Sequence, residues 1–244
     1  MQIPRLIFLG YGIFNNFNEL CVMERLFAFI TTVLLLASCG SGKDGFRNGD
    51  LIFVGIPLSY SIDSTSMDSA IAQATGTEGL NLIHVAIVEI EGDSTFVIDA
   101  TIKRGVDRHP LDTFIRDFTL KDGSLPVLEL MRLKDPRDAD IYVSNAHKFI
   151  GLPYDERFMP DNGAYYCSEL VRDSYIRRDG TYIFDAAPMN FKASDGEYPV
   201  YWKQLFARLG VPIPQGVEGT NPQDMYGSKA ICRICSPFSS QDRR

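Results

Sequence analysis

Residues 167–171 read Cys-Ser-Glu-Leu-Val and follow a loop rich in proline, aspartate and glycine at residues 152–163. The residues that share one side at helical spacing after the cysteine are Leu170, Val171, Ser174 and Tyr175. This pattern predicts a helix that begins at Cys167 and ends near Gly180. Unpaired backbone N–H groups and the helix dipole favour an anion at the start of a helix. Cys167 is therefore a candidate nucleophile, with a buried structural thiol as the alternative.

An apolar stretch much earlier in the chain carries one histidine. Residues 82–88 read Leu-Ile-His-Val-Ala-Ile-Val, which predicts a buried strand that contains His84. A histidine in such a strand is either a hydrogen-bonded core group or a catalytic base. The other two histidines, His109 before a proline and His147 on the polar face of a predicted helix, have no comparable setting. His84 is therefore the candidate base.

The next apolar stretch, residues 95–100, carries a carboxylate at Asp99. Turn-forming residues at 91–94 separate the two stretches, so they are predicted to form a hairpin. Burial of an unpaired charge is costly, so a buried Asp99 needs a partner. The hairpin would bring it beside His84, where it could fix the orientation of the imidazole. The alternative is an aspartate at a strand end that caps the following turn.

Other periodic segments surround this hairpin with strands and helices. Further strands are predicted at residues 50–55 and 126–133. The layout predicts an α+β fold with a small, largely antiparallel sheet. The predicted helices are residues 67–74 with capping candidates at 64–66 and Gly76, residues 110–118, and residues 136–150, capped by Asp135 and ended by Gly151.

The composition of the chain is that of one domain with a sizeable core. Its 244 residues are 45% hydrophobic and carry a formal net charge of -7, and this length supports a single core. The sequence contains no basic stripe or run of lysine and arginine. These features argue against a nucleic-acid partner and against an electrostatic role at a membrane surface.

Four short motifs together resemble those of the NlpC-type cell-wall peptidases, a bacterial branch of the papain-like fold. The motifs are Cys167–Val171, Gly49–Leu51, His84–Ile87 and Val97–Ala100. In that family the cysteine motif comes first, whereas in this chain it comes last, which is the order of a circular permutant. Over roughly residues 49–227, the chain resembles the YiiX-like permuted papain-fold hydrolases, relatives of the lecithin retinol acyltransferase group.

The resemblance implies an α+β, circularly permuted papain-like (NlpC-type) fold with a small antiparallel sheet and a nucleophile helix. It also implies acyl transfer by a Cys-His-Asp triad without a metal or organic cofactor. In that triad, Cys167 would be the nucleophile, His84 the base and Asp99 the third residue. Tyr166 and Tyr154, close to the nucleophile, are candidate substrate-binding residues, with a packing role as the alternative.

The substrate that the resemblance implies is an amide bond in a peptide or muropeptide of the cell envelope. The second substrate class is a lipid acyl group, which the enzyme would hydrolyse or transfer. A different functional class is also an alternative, in which the chain is an envelope lipoprotein of the same fold that binds its ligand without catalysis. Two positions depart from the family pattern. Glu169 stands where the non-permuted group has glycine, and Asp99 stands where many relatives carry histidine or glutamate. These departures bear on the substrate more than on the fold.

The N-terminal region has the features of a bacterial lipoprotein signal. A short charged segment from Met23 precedes an apolar run at residues 26–36 and then the sequence Ala-Ser-Cys39. The run is too short to span a bilayer, which needs about 20 apolar residues. Residues 36–39 resemble the lipobox, in which the cysteine is lipidated, and an ordinary signal peptide is the alternative. The resemblance implies a lipid-anchored protein of the cell envelope, on the periplasmic or outer-membrane face.

These features divide the chain into five segments. They are an upstream extension at residues 1–22, ahead of the expected start at Met23, a signal peptide at 23–38, a tether at 39–48, a hydrolase domain at 49–227 and a tail at 228–244. The tail carries Cys232 and Cys235 in a C-x-x-C arrangement. We expect these two cysteines to form a disulfide or to be free thiols, because a metal site would need two further ligands.

Lipidation at Cys39 gives the first testable prediction. Labelled palmitate should enter the wild-type chain but not the Cys39→Ser variant, because the lipobox thiol accepts the lipid. A chain that starts at Met23 should give the same mature mass as the full chain. A wild-type protein that stays soluble and unlabelled would rule the assignment out.

Overall fold

The computed structural model describes residues 45–60, 63, 65–77, 79–234 and 238, and an antiparallel sheet lies at the centre of this part of the chain. The strands are β1 (Leu51–Pro57), β2 (Leu80–Glu91), β3 (Ser94–Thr101), β4 (Gly105–Pro110), β5 (Val127–Leu133), β6 (Ala187–Pro188), β7 (Glu218–Gly219) and β8 (Ile231–Arg233). The helices are α1 (Met67–Thr75), α2 (Leu111–Asp117), α3 (Ala139–His147), α4 (Cys167–Ser174), α5 (Val200–Leu209) and α6 (Pro222–Tyr226).

The sheet has the strand order β4-β3-β2-β1-β5-β8, and all of its neighbouring strands are antiparallel. β6 and β7 form a separate short pair. The α+β class and the antiparallel sheet predicted from the sequence are confirmed. β8 lies in the segment that the sequence assigned to a tail, so the sheet draws on residues beyond 227.

Both faces of the central strands are buried, which explains their nearly continuous apolar sequences. On β1, Leu51 and Phe53 belong to a core shared with α3 and α4, whereas Ile52 and Val54 belong to a core shared with α2. A third apolar cluster joins α1 and α5 around Trp202. The start of α4 is therefore held against a rigid part of the sheet.

The predicted start of the helix before Gly151 is wrong. α3 begins at Ala139 rather than at Pro136, and its N-cap position is Asp138. Asp135 does not cap the helix, because its carboxylate accepts a hydrogen bond from Arg137 Nε at 2.7 Å. Tyr142, Val143 and Ala146 of α3 pack against the core.

The predicted end of the cysteine helix is also wrong. α4 ends at Ser174 rather than near Gly180. The chain turns back after the helix, where Ile176 forms an antiparallel bridge with Tyr182, and this pairing replaces further helical turns. The sequence interpretation also missed β4, α5 and α6.

A buried ion pair joins the start of β1 to β5. Arg132 donates from Nε to Asp50 Oδ1 at 2.7 Å and from Nη2 to Oδ2 at 2.8 Å, a two-point geometry that strengthens arginine–carboxylate pairs. Asp50 is fully buried and Arg132 is only 6% exposed. The backbone N–H of Arg47 also donates to Asp50 at 2.8 Å. The pair therefore ties the segment before β1 to the middle of the sheet.

Substitution of Asp50 tests this role. Asp50→Asn should lower the free energy of unfolding by about 3 to 5 kcal/mol, because it removes the negative charge that pairs with the buried guanidinium of Arg132. Urea unfolding of the purified chain measures the change. The matched control is Asp135→Asn, which breaks an exposed pair with Arg137 and should leave the midpoint nearly unchanged. Equal midpoints for wild type and Asp50→Asn would contradict the prediction.

Candidate active site

Cys167, His84 and Asp99 come together where the start of α4 meets β2 and β3. His84 Nε2 lies 2.8 Å from Asp99 Oδ2, and the imidazole also forms a side-chain hydrogen bond with Cys167. All three side chains are buried, and Asp99 is only 1% exposed. The three residues singled out in the sequence therefore form one continuous line of thiol, imidazole and carboxylate.

The β2–β3 hairpin sets the contact between the imidazole and the carboxylate. Ile87 pairs with Ile98 across the two strands, and this register leaves Asp99 within reach of His84. Aspartate is otherwise unfavourable within a buried strand. The hydrogen bond to His84 supplies the partner that its burial requires.

Burial and the neighbouring acidic groups act in opposite directions on the pKa of His84. Burial alone lowers the pKa of His84, because it disfavours the charged ring. The negative charge of Cys167 and the hydrogen bonds with Asp99 and Cys167 outweigh burial and raise the pKa to about 10. His84 is therefore an imidazolium at neutral pH, and it lies between the sulfur of Cys167 and the carboxyl of Asp99.

Two phenylalanines of the α2 region cover the imidazole. The ring centroid of Phe118 lies 4.6 Å from that of His84, and the centroid of Phe114 lies 6.1 Å away. Phe114 is fully buried. These rings limit the orientations of the imidazole and exclude water from its far side, which strengthens its interaction with Asp99.

The first turn of α4 places backbone donors and an acidic side chain beside the nucleophile. Tyr166 occupies the N-cap position and makes no side-chain capping bond. The carboxyl of Glu169 instead accepts a hydrogen bond from the backbone of Tyr166. Burial, with the charges of Asp155 and Asp173, raises the pKa of Glu169 to about 8. At neutral pH this carboxyl is thus mostly uncharged and adds little negative charge near Cys167.

A largely apolar cleft of about 650 Å³, open solvent at its mouth included, opens beside Cys167. Its walls come from α1, from the loop before α4 and from the region of α5. The apolar side chains that line it include Met67, Ile71, Phe158, Met189, Phe191 and Trp202. An apolar group attached to the reacting carbonyl would be accommodated there.

Tyr166 and Tyr154, the weaker candidates from the sequence, both line this cleft. Tyr166 is buried, and its hydroxyl accepts a hydrogen bond from the backbone N–H of Thr220 at 3.0 Å. Asp155, the neighbour of Tyr154, accepts from the backbone N–H groups of the loop that follows and so shapes this wall. Tyr166 therefore supports the packing through its hydroxyl and also forms part of the cleft wall.

Sequence reasoning missed two residues near the site. Trp202 lines the cleft from α5, and the spacing of Trp202, Leu205 and Phe206 could have predicted that helix. His109 was given no role, yet it is buried and faces Asp99. The position of His109 in β4 could have indicated its burial, but charged residues in this strand obscure the alternation of apolar and polar residues.

Several of the sequence predictions concern residues outside the described part of the chain. These are the upstream extension, the signal peptide, the lipidation site Cys39 and one of the tail cysteines, Cys235. The other tail cysteine, Cys232, is a free thiol. Among the described residues, none of the helices has the length and apolar character needed to cross a membrane.

Solved structures include one with a similar fold. It is the crystal structure of metalloprotein yiiX from Escherichia coli O157:H7, with a TM-score of 0.60 and 22% sequence identity. The similarity covers 78% of this chain and 97% of that chain. At this identity it shows a shared fold. No match was found among curated proteins.

The name of that structure raises the question of a metal site in this chain. A metal ion would need several histidine, cysteine, aspartate or glutamate side chains converging on one point. Within the described ranges, no group of three or more such side chains is arranged to hold a metal ion. These residues therefore do not fit a protein-held metal centre.

The order of the site residues along the chain is that of a permuted papain-like domain. His84 and Asp99 come from the sheet, and Cys167 follows from a later helix. A family model described as the permuted papain-like amidase enzymes, YaeF/YiiX, C92 family, matches residues 46–235. This match takes in the whole sheet and all three site residues, and the chain therefore belongs to the YaeF/YiiX (C92) family of permuted papain-like amidases.

Proposed function

We propose that this cysteine hydrolase cleaves an amide bond in a peptide or muropeptide of the cell envelope. Cys167 is the nucleophile, His84 the acid and base, and Asp99 the residue that orients His84. The observation that carries the proposal is the buried line of the three side chains, with its 2.8 Å contact between His84 and Asp99. An imidazole that stays protonated at neutral pH can stabilise a thiolate and give its proton to a leaving group.

The reaction proceeds in two acyl-transfer steps. The Cys167 thiolate attacks the carbonyl carbon, and backbone N–H groups at the start of α4, that of Cys167 first, donate to the oxygen that becomes negative. The His84 imidazolium protonates the leaving amine as the C–N bond breaks, which leaves a thioester and a neutral imidazole. His84 then takes a proton from water while the oxygen attacks the thioester, and the acid product leaves as the thiolate returns.

A lipid acyl group is the second candidate substrate, and the apolar walls of the cleft support it. The walls beside Cys167 are mostly apolar, and burial of an acyl chain there would contribute about 0.8 kcal/mol per CH₂ group. The chemistry would be the same, with the acyl chain attached to the carbonyl that Cys167 attacks. An acceptor other than water would make the same acyl-enzyme a transferase.

The proposed location is the cell envelope. The lipobox-like residues 36–39 support attachment through a lipid on Cys39, followed by a short tether before the hydrolase domain. A lipid anchor would hold the enzyme close to both candidate substrates, envelope peptides and acyl lipids. No nucleic-acid partner is proposed, in keeping with the net charge of -7.

The role of Asp99 is tested by hydrolysis of an envelope peptide amide and of an N-acyl amide. Cys167→Ala should abolish turnover, and Asp99→Asn should lower kcat by about two to four orders of magnitude, because an amide presents the wrong hydrogen-bond pattern to the imidazole. Thermal unfolding checks that the variants fold. Asp93→Asn, in the exposed β2–β3 turn, is the matched control and should keep the wild-type kcat.

The outcomes of this experiment separate the candidate functions. The substrate with the higher kcat/KM identifies the class of bond. Wild-type kcat in Asp99→Asn would remove Asp99 from the mechanism. If the wild type turns over neither substrate while Cys167→Ala still binds one of them equally well, a binding lipoprotein replaces the enzyme.

The ionisation of His84 gives a second prediction. Since its folded pKa is raised to about 10, the ring keeps its proton through neutral pH and loses it as the pH approaches 10. Turnover should therefore fall in that alkaline range. In Cys167→Ala, NMR titration should show a lower His84 pKa, because the thiolate charge that opposes the effect of burial is gone. An unchanged His84 pKa would contradict a thiolate–imidazolium pair.

A further inference from the structure

Asp99 uses only one of its two carboxylate oxygens to hold His84. Oδ2 makes the 2.8 Å contact, whereas Oδ1 is buried and has no hydrogen-bond partner among the described residues. Buried polar atoms are nearly always paired, and an unpaired one is costly. The side chain that faces Oδ1 is His109, whose Nε2 lies 3.8 Å away.

His109 is itself a buried polar residue without a hydrogen bond. It is 6% exposed, and within the described part of the chain neither of its ring nitrogens has a hydrogen-bond partner. Its ring stacks on Phe114 with an interplanar angle of 22°. The same Phe114 ring packs against His84. Two imidazoles therefore lie on either side of Asp99 and against one phenylalanine.

The sheet fixes this arrangement. β3 and β4 pair in the register that sets Val97 opposite His109 and Asp99 opposite Asp107, so His109 is a diagonal neighbour of Asp99. The other ring nitrogen of His109, Nδ1, lies 3.4 Å from Asp107 Oδ2. Asp107 is partly exposed, and Arg104 lies 3.7 Å from its carboxylate. A line of alternating basic and acidic groups thus runs from the surface to the nucleophile.

We propose that His109 is a positioning residue of this site, whose Nε2–H donates to Asp99 Oδ1 and holds the carboxylate so that Oδ2 stays on His84. An approach of about 1 Å brings the 3.8 Å separation to ordinary hydrogen-bond length. This bond would satisfy both unpaired atoms at once. It acts on the chemistry only through Asp99, and it rests on the proposed roles of Cys167, His84 and Asp99.

Two substitutions separate the donor from the packing of the ring. His109→Gln keeps an N–H donor near the position of Nε2, whereas His109→Phe keeps a ring against Phe114 but has no donor. Three quantities are measured on the full chain. They are the rate at which iodoacetamide alkylates Cys167 near pH 6, the kcat and the KM. His109→Phe should lower the alkylation rate and kcat about tenfold with KM unchanged, the size expected for one hydrogen bond to a charged group. His109→Gln should stay close to wild type.

Two controls complete the design. His147→Gln replaces an exposed histidine that pairs with Glu89 and should change none of the three quantities. Because His109 acts through Asp99, the double variant Asp99→Asn/His109→Phe should fall no further than Asp99→Asn alone. If His109→Phe does not fold, His109→Leu is the second donor-free variant with the same expectation.

Three results would each overturn the inference. The first is an equal loss in His109→Gln and in the donor-free variant, and the second is a wild-type rate in the donor-free variant. The third is an additive loss in the double variant. Failure of the proposed function looks different. In that case the wild type turns over neither amide substrate, while the alkylation of Cys167, which needs no substrate, still reports whether His109 acts through Asp99.

Discussion

The hydrogen bond between His84 Nε2 and Asp99 Oδ2 joins two ionisable side chains inside the sheet, where neither could be buried alone at low cost. Several features of the fold follow from this contact. The register of β2 and β3 brings the two residues together, and Phe114 and Phe118 exclude water from the imidazole. The negative charge of Cys167 favours the protonated ring, and together with the hydrogen bonds it offsets the effect of burial on the pKa of His84.

Cys167 reaches this pair from a part of the chain that follows the central strands. Tyr175, at the end of α4, donates its hydroxyl hydrogen to the carbonyl of Gly49 at 2.9 Å and stacks on Tyr142 of α3. Gly49 adopts a positive φ and lies so close to Ala139 that a side chain would not fit. These non-covalent contacts orient α4 on the sheet.

The site combines a highly polar line of reacting groups with an apolar cleft. The polar line is enclosed, and Glu169 beside it is kept mostly neutral by burial and by neighbouring carboxylates, so that it adds little negative charge near Cys167. The cleft is lined by residues from α1 and from the region around α5, and also by Cys167 and by Ile83, the neighbour of His84 in β2. The polar line and the apolar walls therefore meet at the start of α4.

The sequence by itself determined the strands and helices whose characteristic residue pattern lies within one short segment. Two apolar runs with an intervening turn predicted the hairpin that pairs His84 with Asp99, and helical spacing predicted a helix that begins at Cys167. The tertiary structure alone decided the contacts whose partners are far apart or whose strands are short. Arg132 binds Asp50 from 82 residues away, and His109 meets Asp99 only because β4 pairs along β3. Periodicity reports which side of an element is buried, whereas the partner of a buried polar atom depends on how distant elements pack.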